Sequence, residues 1–273
     1  MENREKTGKE RIEDLRAAYS EAVRKTEIVR QRYGMSSAPD GQDGEGGKAA
    51  SEDAISPDAV AGAERRRDDA AFALAQAEIA EKTGLEEAFT ILNDLANRGN
   101  TKAIMQFASM FEKGNIYTRD YQRALECCEW ADELGDRTAA FQIAKYYRLG
   151  LGVRKNLRKA ADYFEKASRL GDRRADYQLA DIYFELGHPE KGAKQLRKCM
   201  DGGMKEAAYD YAMCLLYGDG VRRDVKKAVQ LLEERRRSGD REAAEKLAYM
   251  YSVGFKVKRD AEKAAAYRKE TAG

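Results

Sequence analysis

The chain has 273 residues, of which 36% are charged, 42% are hydrophobic and only 3 are proline, with a formal net charge of +2. Ala, Glu, Lys, Arg and Leu favour helix, and the near-neutral balance argues against nucleic acid as a partner. No stretch approaches the ~20 apolar residues that span a bilayer, so no membrane association is expected. The opening Met-Glu-Asn-Arg-Glu-Lys lacks the apolar segment of a signal peptide, so a cytoplasmic chain is expected.

Residues 1–33 predict an amphipathic helical arm. Neither Gly nor Pro occurs from Lys9 to Tyr33, and Ile12, Leu15, Tyr19, Ala22, Thr26, Val29 and Tyr33 recur at alternating steps of 3 and 4. That is a heptad seam, weakened by Ala22 and Thr26. It either packs on the rest of the protein or supports self-association or partner binding through residues 9–33. Residues 34–57 read as a disordered linker, too rich in Gly, Ser and Asp to offset the entropy of ordering. Residues 58–98 predict a helix pair, the first running through Ala70, Phe72, Leu74 and Ile79, the second through Leu85, Ala88, Phe89, Leu92 and Leu95. The pair reads as a degenerate repeat that caps a longer array, since terminal repeats are atypical.

From residue 99 a period takes over. Gly-Asn or Gly-Asp stands at Gly99, Gly135, Gly171 and Gly239, with Gly203-Met204 in phase, at steps of 36, 36, 32 and 36. This divides residues 99–273 into five units: 99–134, 135–170, 171–202, 203–238 and 239–273. A spacing of this size marks stacked units that bury their apolar faces against one another. In each first helix, small residues (Ala103, Ala139, Ala175, Ala207, Ala243; then Ala108, Ala144, Ala180, Ala212, Ala248) alternate with a bulky key residue (Phe107, Ile143, Leu179, Tyr211, Leu247). A Gly-bearing loop follows, then a second helix keyed on Ala124, Ala160, Gly192, Ala228 and Ala264. Asp120, Asn156, Asp224 and Asp260 are its predicted N-caps. The third unit is four residues shorter in its loop and starts its second helix with Pro189 instead.

The run Ala-x-x-x-Leu-Ala-x-x-Tyr-x-x-Gly-x-Gly-Val-x-x-(Asp/Asn)-x-x-Lys-Ala resembles the Sel1-like repeat, a relative of the tetratricopeptide repeat. The nearest matches run from Ala139 to Ala160 and from Ala207 to Ala228, whereas the short-looped unit at Gly171 is closer to a plain tetratricopeptide repeat. The resemblance covers roughly two thirds of the chain. It implies an all-α, right-handed α/α superhelix serving as an adaptor or scaffold for other proteins, often in bacteria.

Catalytic chemistry finds little support. The one histidine, His188, sits in a Gly-His-Pro loop; no Ser or Cys lies in a nucleophile motif, no Ser-x-x-Lys occurs, and metal-ligand spacing is absent. Cys127, Cys128, Cys199 and Cys214 form no C-x-x-C pair and read as reduced, buried thiols. No cofactor is expected. Carrying over the concave positions of tetratricopeptide relatives (two and five residues either side of the key residue) gives a groove of Met105, Phe141, Tyr177, Phe184, Tyr209, Met213, Leu216 and Tyr249. Lys145, Arg148 and Arg174 form its basic edge. Aromatic residues and Met are typical of interface cores, so the groove is expected to hold a peptide or helix of another protein. An immunity or inhibitor protein capping a toxin or enzyme, and a helical-repeat RNA binder, are the alternative readings.

Overall fold

The structure is a computed structural model that describes residues 7–33, 57–114 and 117–271. Among these there are thirteen helices and no strand. The expected linker lies almost wholly outside the described residues. Packing divides the chain into two compact units, Met1–Gln106 and Phe107–Gly273.

The first unit is built on α1 (Gly8–Tyr33), α2 (Pro57–Glu81) and α3 (Leu85–Asn97), with the start of α4 (Thr101–Lys113). The helical arm lies antiparallel along α2, so of the two expected alternatives it packs on the rest of the chain. Ile12 and Thr26 are buried, and Leu15, Tyr19, Ala22 and Val29 half-buried. From Ile12 to Val29 the heptad seam therefore packs within the chain, against α2. Thr26, polar at a core position, is satisfied by the carbonyls of Ala22 (2.8 Å) and Ala63 (3.1 Å). Two arginines fix the pairing: Arg30 bonds Glu64 at 2.6 Å, and Arg16 bonds Glu78 at 2.6 Å and Glu87 at 3.0 Å. Glu78 is fully buried, and its Oε2 has no hydrogen-bond partner among the described residues.

The second unit continues from the end of α4 through α5 (Tyr121–Glu133), α6 (Ala139–Leu149), α7 (Leu157–Arg169), α8 (Arg173–Glu185), α9 (Pro189–Asp201), α10 (Lys205–Tyr217), α11 (Val225–Arg237), α12 (Arg241–Val253) and α13 (Ala261–Thr271). From α5 to α13 each helix packs on the next, as a solenoid requires. Both alanine series in this unit are buried, which lets backbones approach, while Ile143, Phe164, Ile182, Leu232 and Leu247 fill the space between at 0% exposure. The predicted caps form: Asp120, Asn156, Asp224 and Asp260 accept the backbone N–H three residues on at 2.9–3.0 Å. Pro189 opens α9.

Two features hold the array together, one within each repeat and one between neighbours. The residue four after the key position lies under a cation of its own second helix: Phe111 under Arg123 (5.8 Å), Tyr147 under Lys159 (5.0 Å), Tyr183 under Lys191 (5.4 Å) and Tyr251 under Lys263 (5.1 Å). The loops also interlock. Gly152 (φ +66°) rests on the start of α5, where a Cβ would stand 2.4 Å from the Tyr121 carbonyl carbon. Gly220 (φ +68°) rests on the start of α9, where a Cβ would stand 2.0 Å from the Pro189 oxygen. Only glycine fits there.

Candidate partner-binding face

At 3.6 residues per turn, positions five before, two after and six after the key residue fall on one line down the first helix of a repeat. That line is the most exposed stripe of α6, α8, α10 and α12. The position five after the key residue falls to its flank.

The expected groove residues divide accordingly. Tyr249 stands on the line and is 52% exposed. Leu216, on the flank, is fully buried, so it belongs to the core and not to the groove. Phe184 is half-buried against α9, where a Cβ on Gly192 would come within 2.6 Å of its ring. Tyr209 and Met213 are half-buried and pack on the core beneath them. Tyr177 is half-buried with its hydroxyl donating to Asp210 at 2.5 Å. Burial, and then that bond, push the Tyr177 hydroxyl above its ordinary range, while burial raises Asp210 and the same bond opposes it. Phe141 lies edge-on to Phe164 at 5.3 Å and is covered by the Arg174 guanidinium at 4.5 Å. Met105 is half-buried and lies in the first unit.

The expected basic edge is internally neutralised. Arg148 is held by Gln178 (2.6 Å), Glu185 (3.1 Å) and Asp181 (3.4 Å) of α8. Arg174 folds back on Asp172 at 2.6 Å and holds that carboxyl below its usual range. Lys145 lies 3.1 Å from Gln142 and 3.9 Å from Glu112. These cations join neighbouring repeats or brace their own helix instead of awaiting a ligand.

Two rows of residues carry no obvious mark in the sequence. One residue before the key position stand Gln142, Gln178, Asp210 and Lys246, which take up Lys145, Arg148, Tyr177 and Tyr217. Six residues after it stand Leu149, Tyr217 and Val253, exposed by 59%, 51% and 57%. A large apolar residue directly before a loop glycine, on a helix whose core face is already full, is the signal that could have found this second row. At the last two repeats it becomes a cluster. Tyr217 and Tyr249 each lie 6.1 Å from the half-buried Phe255. Lys246 donates to the Tyr217 hydroxyl at 2.9 Å, and the Lys256 ammonium sits 5.2 Å from the same ring. This surface can hold an apolar side chain between rings with ammonium groups beside it.

Nucleophilic groups are muted. Burial pushes the thiols of Cys127 and Cys199 up to about 11 and those of Cys128 and Cys214 up to about 12. At neutral pH all four are protonated. Among the described residues no group of three or more His, Cys, Asp or Glu is placed to hold a metal, and no helix is long and apolar enough to cross a membrane.

Known proteins fit this architecture. A Sel1 repeat family model matches residues 101–136, 138–172, 205–234 and 241–267, leaving out the short-looped unit. A Sel1 repeat protein from Oxalobacter formigenes aligns at a TM-score of 0.62 with 24% identity, covering 74% of this chain and 84% of that one. The c5321 protein of uropathogenic Escherichia coli, a protective antigen with the SLR fold, aligns at a TM-score of 0.65 with 18% identity. That alignment covers 96% of this chain and 56% of the other, so this chain spans just over half the length of c5321. At these identities the likeness speaks for the fold. No curated protein matches the sequence.

Proposed function

We propose, from the premise that this chain carries Sel1 repeats, that it is a non-catalytic adaptor holding a segment of a partner protein on the exposed stripe of its repeats. Sel1 repeats generally mediate contacts between proteins. The observation that carries the finer reading is the cluster of Tyr217, Tyr249, Val253 and Phe255. Three of its four side chains are more than half exposed, although burying apolar area is favourable by roughly 25 cal/mol per Å². Large aromatic residues that a fold leaves in water are favoured anchors for a partner. The muted thiols and the single histidine give no support to catalysis.

The test is affinity purification from the native cell, comparing the wild-type chain with a Tyr217→Ala, Tyr249→Ala variant of unchanged helix content. One dominant protein retained by the first and lost from the second is the expected result. Equal recovery by both would place the contact elsewhere. Tyr177 and Tyr209 are poorer probes, because both are half-buried within the repeat stack.

A further inference from the structure

Charge is segregated along the loop edge of the second unit. In four repeats, the seven residues that lead into the second helix are 117–123, 153–159, 221–227 and 257–263. They hold thirteen Lys and Arg against four Asp and Glu, in a chain whose net charge is +2. Three of those four carboxylates, Asp120, Asp224 and Asp260, are engaged in capping their own helices. The cations themselves are exposed. Among the described residues Arg154, Arg158, Arg222 and Arg223 make no ion pair, and Lys155 comes only within 3.7 Å of Glu185.

Two of these segments open into clefts, each with a cause in the sequence. The starts of α5 and α9 are covered by Gly152 and Gly220 of the following repeat. The start of α7 has no such cover, because the third repeat lacks four loop residues. A cleft of about 560 Å³ remains, where Arg154, Lys155, Arg158 and Lys159 surround Val153 and Leu157. At the start of α11, the residue matching Gly220 is Lys256 (φ +60°), whose ammonium turns away to the Leu216 carbonyl at 3.0 Å. A second cleft of about 600 Å³ remains there, with Arg222, Arg223 and Lys227 around Leu215, Val221 and Val225. The two clefts belong to the repeats with four cations in the segment, and the last repeat has three. The covered helix starts, in the first and third repeats, have two and one.

We propose that these two clefts form a docking surface for an acidic segment of a partner protein, one in which Asp and Glu are interspersed with aliphatic side chains. The rim cations suit carboxylates, and the aliphatic floor suits a Leu or Val between them. Nucleic acid fits less well. Single strands bind largely by stacking bases on exposed rings, whereas the rings that line the clefts are Tyr147, which lies under Lys159, and Tyr211, which is buried. The rest of the chain carries an excess of acid, and salt screens the field of each cleft within a Debye length of about 8 Å, so it acts only at contact range. The surface uses none of the aromatic cluster around Tyr217 and Tyr249, so each assignment can fail without the other.

The experiment is fluorescence anisotropy on the full chain with a labelled peptide containing Asp-Glu-Leu-Asp-Glu-Val, alongside a single-stranded oligonucleotide of equal length. The peptide is expected to bind and to weaken as salt rises. Arg154→Glu with Arg158→Glu, and separately Arg222→Glu with Arg223→Glu, are each expected to weaken it about tenfold. Arg237→Glu with Arg268→Glu, exposed elsewhere, should leave affinity unchanged, as should Tyr217→Ala. No peptide binding, binding indifferent to the cleft variants, or an oligonucleotide that binds more tightly than the peptide would each overturn the proposal.

Discussion

Gly220→Ala tests whether the interlocked loops hold the repeats together. Two costs add. Alanine at φ +68° pays the left-handed penalty of roughly 1–2 kcal/mol. Its Cβ would also stand 2.0 Å from the Pro189 oxygen and 2.8 Å from the Glu190 nitrogen, both backbone atoms, so the loop must lift off α9. Forced shifts of this kind cost about 1–3 kcal/mol. Gly239→Ala is the control: its φ is +87°, but nothing lies within 4 Å of the added carbon, so only the first cost applies. The excess for Gly220→Ala is thus about 1–3 kcal/mol. At about 2–4 °C per kcal/mol for a domain of 150–250 residues, that places its midpoint roughly 2–12 °C below the control's. Thermal unfolding followed by circular dichroism reads this directly, and hydrogen exchange should show α9 and α10 losing protection first. Equal midpoints for the two variants would refute the claim that the loop contact couples the repeats.

Leu216→Ala should cost about 2–5 kcal/mol, since the side chain is fully buried, while Tyr249→Ala should leave the urea midpoint nearly unchanged and reduce partner capture; the reverse pattern would return Leu216 to the groove. The four thiols ordinarily ionise near 9.0 and are raised to about 11 or 12 in the folded chain. The unfolded chain therefore releases these protons first, and the associated stability, intact below pH 9, is lost as pH rises from 9 towards 12. Urea midpoints across that range should fall, and a variant with all four Cys changed to Ala should show a shallower fall. Arg16→Ala should lower the midpoint of the first unit by stranding the buried Glu78 carboxylate, and Arg16→Met with Glu78→Met should regain most of the loss. No recovery in the double variant would show that the loss comes from packing rather than from the uncompensated charge.

Much of the fold was legible because each signal repeats. Ala139 or Ala243 alone says little, but small residues returning in phase with Ile143, Leu179 and Leu247 fix which face is buried. The caps were legible for the same reason. The groove was less so. Carrying positions over from relatives placed Leu216 on the open face, whereas helical geometry puts the position five after the key residue beside the stripe, where local packing decides exposure. Tyr217 and Val253 were missed because a residue next to a loop glycine reads as part of the loop. Arg148 and Arg174 looked free because nothing in the sequence pairs them with Gln178, Asp181 and Asp172. The seam on α1 was visible, but its occupant, α2, lies beyond 23 residues without any apolar pattern.

The pairing of α1 with α2 has a consequence for how the first unit finds its own geometry. A seam diluted by Ala22 and Thr26 could slide a whole heptad along α2 and still bury similar apolar area. A fully buried carboxylate with an unsatisfied oxygen is poor adhesive, since desolvation offsets much of what Arg16 returns. It is a strict address, however. Any slip would take Arg16 away from Glu78, leaving a buried charge without its partner, and would also cost Thr26 its contact with the Ala63 carbonyl. The two helices thus meet in one alignment because every other alignment is penalised, and a weak hydrophobic stripe becomes sufficient once a buried ion pair sets its position.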